Sequence, residues 1–331
     1  RAAQSRARGL VRGRGIGQFL EVTAPVMKEL GAIRFGKDGE VIVLTGTHDH
    51  GQGHWTSFAQ VVAERLGVHI DRIRFMQTDS DQLAAGGGTG GSKSLMSSGT
   101  ALVEASARVI EKARQAASFL LEASPSDLEF KAGRIGVVGT DKSMSLIEIA
   151  QEIARDPTLP PECPRSLDVE YVHDAAPATY PNGCHICEVE VDPDTGYIRV
   201  AKYTTVGDFG TLVNPMIVEG QVRGGVVQGV GQCLMEQAQY DGDGQLLSGS
   251  FMDYAMPRAE HAPSMSFHDL GVPTKSNPLG VKGCGEAGVS GALTSIMNAI
   301  HDALAPYGVK HLEMPATPEI VWRAIHGARR G

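Results

Sequence analysis

The sequence predicts an α+β protein made of two related subdomains, on three observations. β-rich runs and helix-period segments are interleaved along the whole chain, which is the pattern of mixed layers. Each half offers the same order of strands, a glycine-rich loop and a helix, with residues 88–105 and 280–299 in corresponding places. The chain has 331 residues, 42% hydrophobic and 21% charged, enough for two units with cores of their own. The expected division is 1–163 and 164–331, at a connector carrying Pro157, Pro160, Pro161 and Pro164.

A net charge of −8 argues against nonspecific nucleic-acid binding. The arginines at 1, 6, 8, 12 and 14 read as solvated charges ahead of a first strand, with a nucleic-acid arm as the alternative. No apolar run of about 18 residues is present, so no membrane span is expected, and no signal-peptide core follows the arginines. The five cysteines are loosely spaced and odd in number, which suits a reducing compartment such as the cytoplasm. The chain opens on Arg1 rather than Met, which leaves room for a start inside a longer polypeptide.

In order, Gly13, Gly15 and Gly17 precede a strand at 18–23 where a dinucleotide fingerprint would need a helix, so they read as a strand with glycine relief. Strands at 32–35 and 41–45 flank a Lys37-Asp38-Gly39 turn. The segment 47–56 then leads into a helix over 56–66. His48, His50 and His54 raise a zinc reading, but no His-x-x-x-His pair completes a ligand set. Gln52 and His54 are the better candidates for hydrogen bonding in a strand-to-helix elbow. A strand over 70–78 leads to Gly86–Ser94 and a helix over 98–123. That loop is not a Walker A sequence, yet its free N–H groups, hydroxyls and Lys93 would make an anion cradle; a flexible linker is the other reading.

A hairpin over 128–138 and a helix over 145–155 follow, then a strand pair over 184–191 and 197–206. Cys184 and Cys187 stand three apart on the strand, so they face opposite ways and cannot chelate one ion. Asn214-Pro215 opens a helix with Gly220, Gly224 and Gly225 on a contact face, and Gln221 is its polar member. The stretch 280–288 carries Gly280, Gly283, Gly285 and Gly288 around Glu286. Read alone, it is either a glycine-rich turn with a surface acid or a tight loop that sets a base at a helix start. A helix over 289–305 and a short one ending at Ile325 close the chain.

Gly51-Gln52-Gly53-His54, Gly91-Ser92-Lys93-Ser94, Asn214-Pro215 with Gly220-Gln221, and Gly283-Cys284-Gly285-Glu286 occur in this order. Together they resemble the molybdenum-cofactor-binding region of the xanthine dehydrogenase/aldehyde oxidase family, most of all its carbon-monoxide-dehydrogenase-type large subunits. The phrases Glu190–Gly196 and Met314–Glu319 are similar to that family as well, so the resemblance runs along nearly the whole chain. It implies the α+β molybdenum-cofactor-binding fold and a molybdenum hydroxylase that oxidises an aldehyde, an N-heteroaromatic ring or a CO-dehydrogenase-like substrate with water.

The roles it implies are specific. Glu286 would be the base that activates the water or hydroxide at molybdenum. Gln52, Gly53 and His54 would hold the pterin, and Gly91, Ser92, Lys93 and Ser94 would cradle it or its phosphates. Asn214 would belong to the cofactor-binding set, and Gln221 would hydrogen-bond near the metal centre. Lys282, Gly283, Cys284 and Gly285 would wrap the glutamate side. The family often has Arg where Lys93 stands, which keeps the charge but weakens a bidentate phosphate contact. The cofactor implied is molybdenum–molybdopterin, with the cytosine dinucleotide form favoured and plain molybdopterin as the alternative. Partners implied are the N-terminal half of the large subunit, an iron–sulfur ([2Fe–2S]) small subunit and an FAD medium subunit. That N-terminal half, with a further glycine-rich loop, the cysteine loop of CO dehydrogenases and much of the substrate pocket, has no counterpart in this chain. The alternative is a cofactor-binding module that is inactive without it.

Overall fold

A computed structural model describes residues 1–24, 28–77, 79–174 and 177–328. The first half holds α1 (Ala2–Arg6), β1 (Val11–Leu20), β2 (Glu29–Phe35), β3 (Val41–Thr45), α2 (His54–Leu66), β4 (Ile73–Met76) and α3 (Ser94–Leu120). A small hairpin unit follows: β5 (Leu128–Lys131), β6 (Arg134–Val137), β7 (Ser143–Ser145) and α4 (Leu146–Arg155). The rest is β8 (Val169–His173), β9 (Asn182–Val191), β10 (Ile198–Asp208), α5 (Pro215–Leu234), β11 (Met265–Asp269), α6 (Ala287–Leu304) and α7 (Pro318–Ala328). The α+β class and the interleaved order follow the sequence pattern.

The strands form two four-stranded sheets, β4-β3-β2-β8 and β1-β9-β10-β11, and a three-stranded one, β5-β6-β7. Helix α2 crosses over between the parallel pair β3 and β4, and β10 pairs in parallel with β11. The sheets do not follow the boundary expected at 163/164. β1 pairs with β9 over Val11↔Val191 to Leu20↔Asn182, and β8 returns to β2. Each half lends one strand to the other's sheet, because pairing partners are chosen by matching apolar faces rather than by nearness in sequence.

Each sheet has its own core. Ile33, Val43, Phe58, Val62, Leu102 and Val109 bury between the first sheet, α2 and α3. Val189, Val200, Val230, Ile296 and Ile300 bury between the second sheet, α5 and α6. A fully buried side chain of this kind contributes about 1.5–3 kcal/mol. The expected correspondence of the two halves is visible here: α3 lies on β2 and β8, and α6 lies on β1 and β9, each leaving a glycine-rich loop at its N-terminus.

The glycines of β1 decide how closely α6 approaches. A Cβ at Gly13 would stand 2.0 Å from the Ala299 carbonyl oxygen, and one at Gly15 would stand 2.1 Å from that of Ser295. Gly291, Ser295, Ala299 and Ala303 recur every fourth residue on the facing side of α6, so helix backbone rests on strand backbone.

Helix starts differ from expectation. α2 begins at His54 rather than 56, and α3 at Ser94 rather than 98. The added first-turn residues are His54 and Trp55 in α2 and Ser94 to Ser97 in α3, mixed polar and apolar positions that do not extend the apolar period. The strand expected over 70–78 begins with a tight turn at Ile70–Arg72 and is a strand only over Ile73–Met76; Thr78 lies outside the described residues. The hairpin and the capped helix at Ser145 agree with the sequence reading, the latter with a reciprocal Ser145–Glu148 capping box.

Of the five N-terminal arginines, Arg6 and Arg14 are exposed, while Arg1, Arg8 and Arg12 pair with carboxylates of β9. Arg12 Nε donates to Glu188 at 2.9 Å, and Arg1 reaches the same carboxylate at 2.6 Å. Glu190 is buried and accepts from Ser5, Arg8, Arg12 and Arg199. Burial opposes its charge, but the Ser5 hydroxyl and Arg199 guanidinium with its cationic neighbours outweigh that and bring its pKa to about 2. Cys187 is buried and Cys184 is half-buried, in keeping with opposite faces of β9.

His185 on β9 is buried under α6, with Nδ1 2.9 Å from the Tyr203 hydroxyl, which in turn lies 2.7 Å from Ser295 Oγ. Burial lowers its pKa to about 4. A histidine held neutral in the fold binds fewer protons than the unfolded chain between about pH 6.5 and 4, so stability falls as pH drops through that window and levels off below it. The expected loss is about 3 kcal/mol, read from urea unfolding at stepped pH. His185→Gln should flatten that part of the profile; an unchanged profile would assign the loss to other groups.

Candidate functional site

Four loops distant in sequence meet around one cavity of about 290 Å³ between the two sheets' helices. The first is the elbow before α2. Asp49 organises it: its carboxylate accepts from the N–H groups of Gly51 at 2.8 Å, Gly53 at 3.3 Å and Trp55 at 3.3 Å. Burial works against that charge, but these donors prevail and hold the carboxyl below its usual range. Gln52 faces the cavity and takes the His50 N–H on its side-chain oxygen. His54 opens α2, stacks on Phe58 at 4.9 Å between ring centroids, and lines the cavity. Burial lowers its pKa, opposed by Asp49. Its Nδ1 is buried with no hydrogen-bond partner.

The second loop carries Thr89, Gly90, Gly91, Ser92 and Ser94 to the cavity wall. Gly91 and Ser92 are both left-handed, with φ of 59° and 57°. For serine that conformation is uncommon and is held by its surroundings, a frequent feature of ligand loops. The third loop runs from Phe209 to Asn214 and into α5. Asn214 caps that helix, its side-chain oxygen accepting from Ile217 N at 3.1 Å and its side-chain nitrogen donating to Gln60 at 3.0 Å. Gln221 lies one and a half turns into α5, half-buried on the cavity wall, and makes no side-chain hydrogen bond among the described residues.

The fourth loop brings Lys282, Gly283, Cys284, Gly285 and Glu286. It is tied to the third by Lys282 N donating to the Phe209 carbonyl at 2.8 Å and by a Gly210–Val281 bridge. It touches the second so closely that a Cβ at Gly283 would stand 2.2 Å from the Ser92 carbonyl oxygen. The Lys282 ammonium pairs with Asp208. Burial disfavours the Asp208 charge, but Lys282 and the N–H groups of Val272 and Gly210 outweigh it and lower the carboxyl's pKa. Burial pushes the Cys284 thiol up to about 12, so it is an inert thiol. Glu286 stands at the N-terminus of α6, exposed to the cavity. Its N–H donates to Ser92 Oγ at 3.0 Å, and Ser92 Oγ donates to its Oε2 at 3.3 Å.

Gly53 and Lys93 do not line the cavity. A Cβ at Gly53 would stand 2.8 Å from Ile217, so Gly53 sets the approach of α2 to α5. Lys93 precedes α3 and its charge acts on buried Glu29. Among the described residues no group of three or more His, Cys, Asp or Glu could hold a metal ion, and His54 turns to the cavity while His48 and His50 are exposed. Sequence reasoning missed Asp49, Asp208 and Glu21. Asp49 works through the amides of Gly51, Gly53 and Trp55 in its own local turn, and Asp208 through Lys282 and Val272, which only the fold brings near; for Glu21 the one signal was an acid among Phe19, Leu20 and Val22. A larger cavity of about 900 Å³, lined in part by Val230, Phe251 and Met252, holds none of the candidate site residues, although Ala316 and Pro318 of the 314–319 phrase border it.

The wall therefore offers glycine-lined close approach, an unpartnered ring nitrogen, three carboxamides, hydroxyls and apolar faces at Leu95, Phe209 and Ile217. This donor and acceptor set fits a flat, heteroatom-rich pterin, and one carboxylate faces the space it would fill.

A family profile described as the molybdopterin cofactor-binding domain matches residues 1–263. The chain is 37% identical over 330 residues to the gamma subunit of the 6-hydroxypseudooxynicotine dehydrogenase complex of Paenarthrobacter nicotinovorans, covering 98% of this chain and 41% of that one. It is 33% identical over 314 residues to the carbon monoxide dehydrogenase large chain of Hydrogenophaga pseudoflava, covering 95% and 39%. Among solved structures, quinoline 2-oxidoreductase from Pseudomonas putida 86 superposes with a TM-score of 0.87 at 34% identity, over 98% of this chain and 43% of that one. The chain thus spans about two fifths of the length of these relatives. With a family match over most of its length and a fold shared at this level, the chain belongs to the molybdopterin cofactor-binding domain family.

Proposed function

We propose that this chain is the cofactor-holding, base-carrying part of a molybdenum hydroxylase acting on an aldehyde, an N-heteroaromatic ring or a CO-dehydrogenase-like substrate. The supporting observation is the meeting of residues 52–54, 89–94, 209–221 and 282–286 around one cavity with Glu286 on its wall. Names among the relatives, such as nicotine 6-hydroxylase large subunit and quinoline 2-oxidoreductase, fit the N-heteroaromatic option best.

When bound, molybdenum–molybdopterin would supply the redox chemistry and the place where water oxygen is delivered. The chain's residues would do the rest. Gln52, Gln221 and the orphaned His54 nitrogen would hydrogen-bond the pterin, and the loops of Gly91–Ser94 and Lys282–Gly285 would enclose it. Asn214 would fix the approach of α5. Glu286, oriented by Ser92, would take a proton from the attacking oxygen at its carboxylate. The pterin would be the cytosine dinucleotide form, with electrons leaving through [2Fe–2S] and FAD groups on partner subunits.

A second reading is favoured by one fact: the chain spans only about two fifths of its relatives. By itself it would be a cofactor-binding module that acts only with the N-terminal half of the large subunit and the iron–sulfur and FAD subunits. Molybdenum and pterin analysis of protein purified with and without those neighbours separates the two.

Gly285→Val gives the sharper check. Gly285 is not among the glycines of positive φ, and a Cβ there meets nothing closer than 3.4 Å. The variant should fold normally while its side chain fills the cavity wall. At least a tenfold fall in bound molybdenum and pterin is expected in the assembled enzyme, an effect on the order of 1.4 kcal/mol or more. Full cofactor content in Gly285→Val, or zinc in place of molybdenum in the wild type, would defeat the reading.

A further inference from the structure

The segment after β1 carries an acid that the proposed reaction has not used. Residues 21–24 are laced between two other stretches: Glu21 N donates to the Pro181 carbonyl at 2.9 Å, Thr23 N to that of Thr179 at 3.1 Å, and Ala24 N to that of Gly91 at 2.8 Å. This lacing sets the Glu21 side chain behind the Ser92–Glu286 contact. Both of its carboxyl oxygens are enclosed, and neither has a hydrogen-bond partner of ordinary geometry. No ion pair is made by Glu21 among the described residues. The Lys282 ammonium on the neighbouring loop is paired with Asp208.

The groups that act on Glu21 are Ser92, Glu286 and, on the same loop, Cys284. An enclosed carboxylate with no donor and no cation is costly, whereas the neutral acid needs only one acceptor. Burial raises the pKa of Glu21; Ser92 opposes the rise and the Glu286 charge adds to it. Ser92 Oγ already donates to the Glu286 carboxylate and accepts from Glu286 N. Its remaining lone pair and the Glu286 carboxylate are the acceptors among the groups that act on Glu21.

We propose that Glu21 is a positioning residue that stays protonated and donates its O–H toward the Ser92–Glu286 pair, so that the two carboxyls share one proton and the exposed Glu286 remains the ionised base. The inference rests on the reading of Glu286 as the base. The proton balance is simple. At rest the pair carries one proton, on Glu21. When Glu286 accepts a second, both are neutral, and the proton leaves through Glu286, which is open to the cavity while Glu21 is sealed. The donor removed by mutation would be one that stabilises the Glu286 anion.

The test uses the assembled enzyme. In infrared difference spectra at pH 7, wild type minus Glu21→Gln should show a protonated-carboxyl C=O band that shifts in D2O. A lost carboxylate band instead would overturn the proposal. This arm reads Glu21 directly and does not depend on turnover, so it stands apart from any failure of the Glu286 assignment. The second arm is the pH profile of kcat/KM. Glu21→Gln keeps a neutral donor and should keep the acid limb in place. Glu21→Ala removes the donor and should move that limb up by about one pH unit. Coincident acid limbs in wild type and Glu21→Ala would also overturn it.

Discussion

Glu286→Gln is expected to bind molybdenum and pterin at wild-type levels and to turn over about 10²–10⁴-fold more slowly. The carboxamide has the shape of the carboxylate and can still accept from Ser92 Oγ, whose present contacts with Glu286 are 3.3 Å to the side chain and 3.0 Å from the backbone N–H. The loop that carries it is fixed by backbone, through Lys282 N to Phe209 O and the close Gly283–Ser92 contact, so the cavity should keep its shape. What is lost is only the ability to accept a proton. The check is steady-state kinetics on the assembled enzyme with cofactor content measured alongside. Undiminished turnover at full cofactor loading would remove Glu286 from the chemistry, and low loading would make it a binding residue instead.

Gly15→Val should cost about 3 kcal/mol or more of stability. A Cβ at this position would stand 2.1 Å from the Ser295 carbonyl oxygen and 2.3 Å from Ala299 N. Both are helix backbone, so no rotamer change relieves the clash; α6 must move off β1. That movement also carries Glu286, which sits at the first turn of α6, away from Ser92. The second sheet's core, where Ile296 and Ile300 pack on Val189 and Val200, would open with it. Urea unfolding measures the effect. Gly242→Val, in a turn where a Cβ meets nothing within 4 Å, is the control and should change stability by no more than about 0.5 kcal/mol. Equal stability of the two variants would contradict the packing argument.

Much of the candidate site was legible as motifs because a glycine-rich loop ahead of a helix advertises itself locally. Gln52, His54, Ser92, Gln221 and Glu286 do come to one cavity wall. Lys93 was readable only as a charge in a cradle; its position just ahead of α3 and off the cavity wall depends on the register of the helix start, which the small residues Ser94, Ser97 and Ser98 conceal. Glu21 was readable only as an acid among Phe19, Leu20 and Val22, with nothing to mark it as a site residue. Its surroundings come from residues 179–181, 91–92 and 284–286, and no local pattern encodes three distant neighbours.

The sequence by itself determined the α+β class, most of the strands and helices, and the loops where chemistry would gather. These follow from short-range periodicity and from residues whose backbone preferences are local. Only the tertiary structure decided that β1 belongs to the second sheet and β8 to the first, that Arg1, Arg8 and Arg12 close on Glu188 and Glu190, and that an acid with enclosed carboxyl oxygens stands near the proposed base. Strand partnership, ion pairing and burial are properties of which surfaces meet, and that is settled by the packing of the whole chain at once.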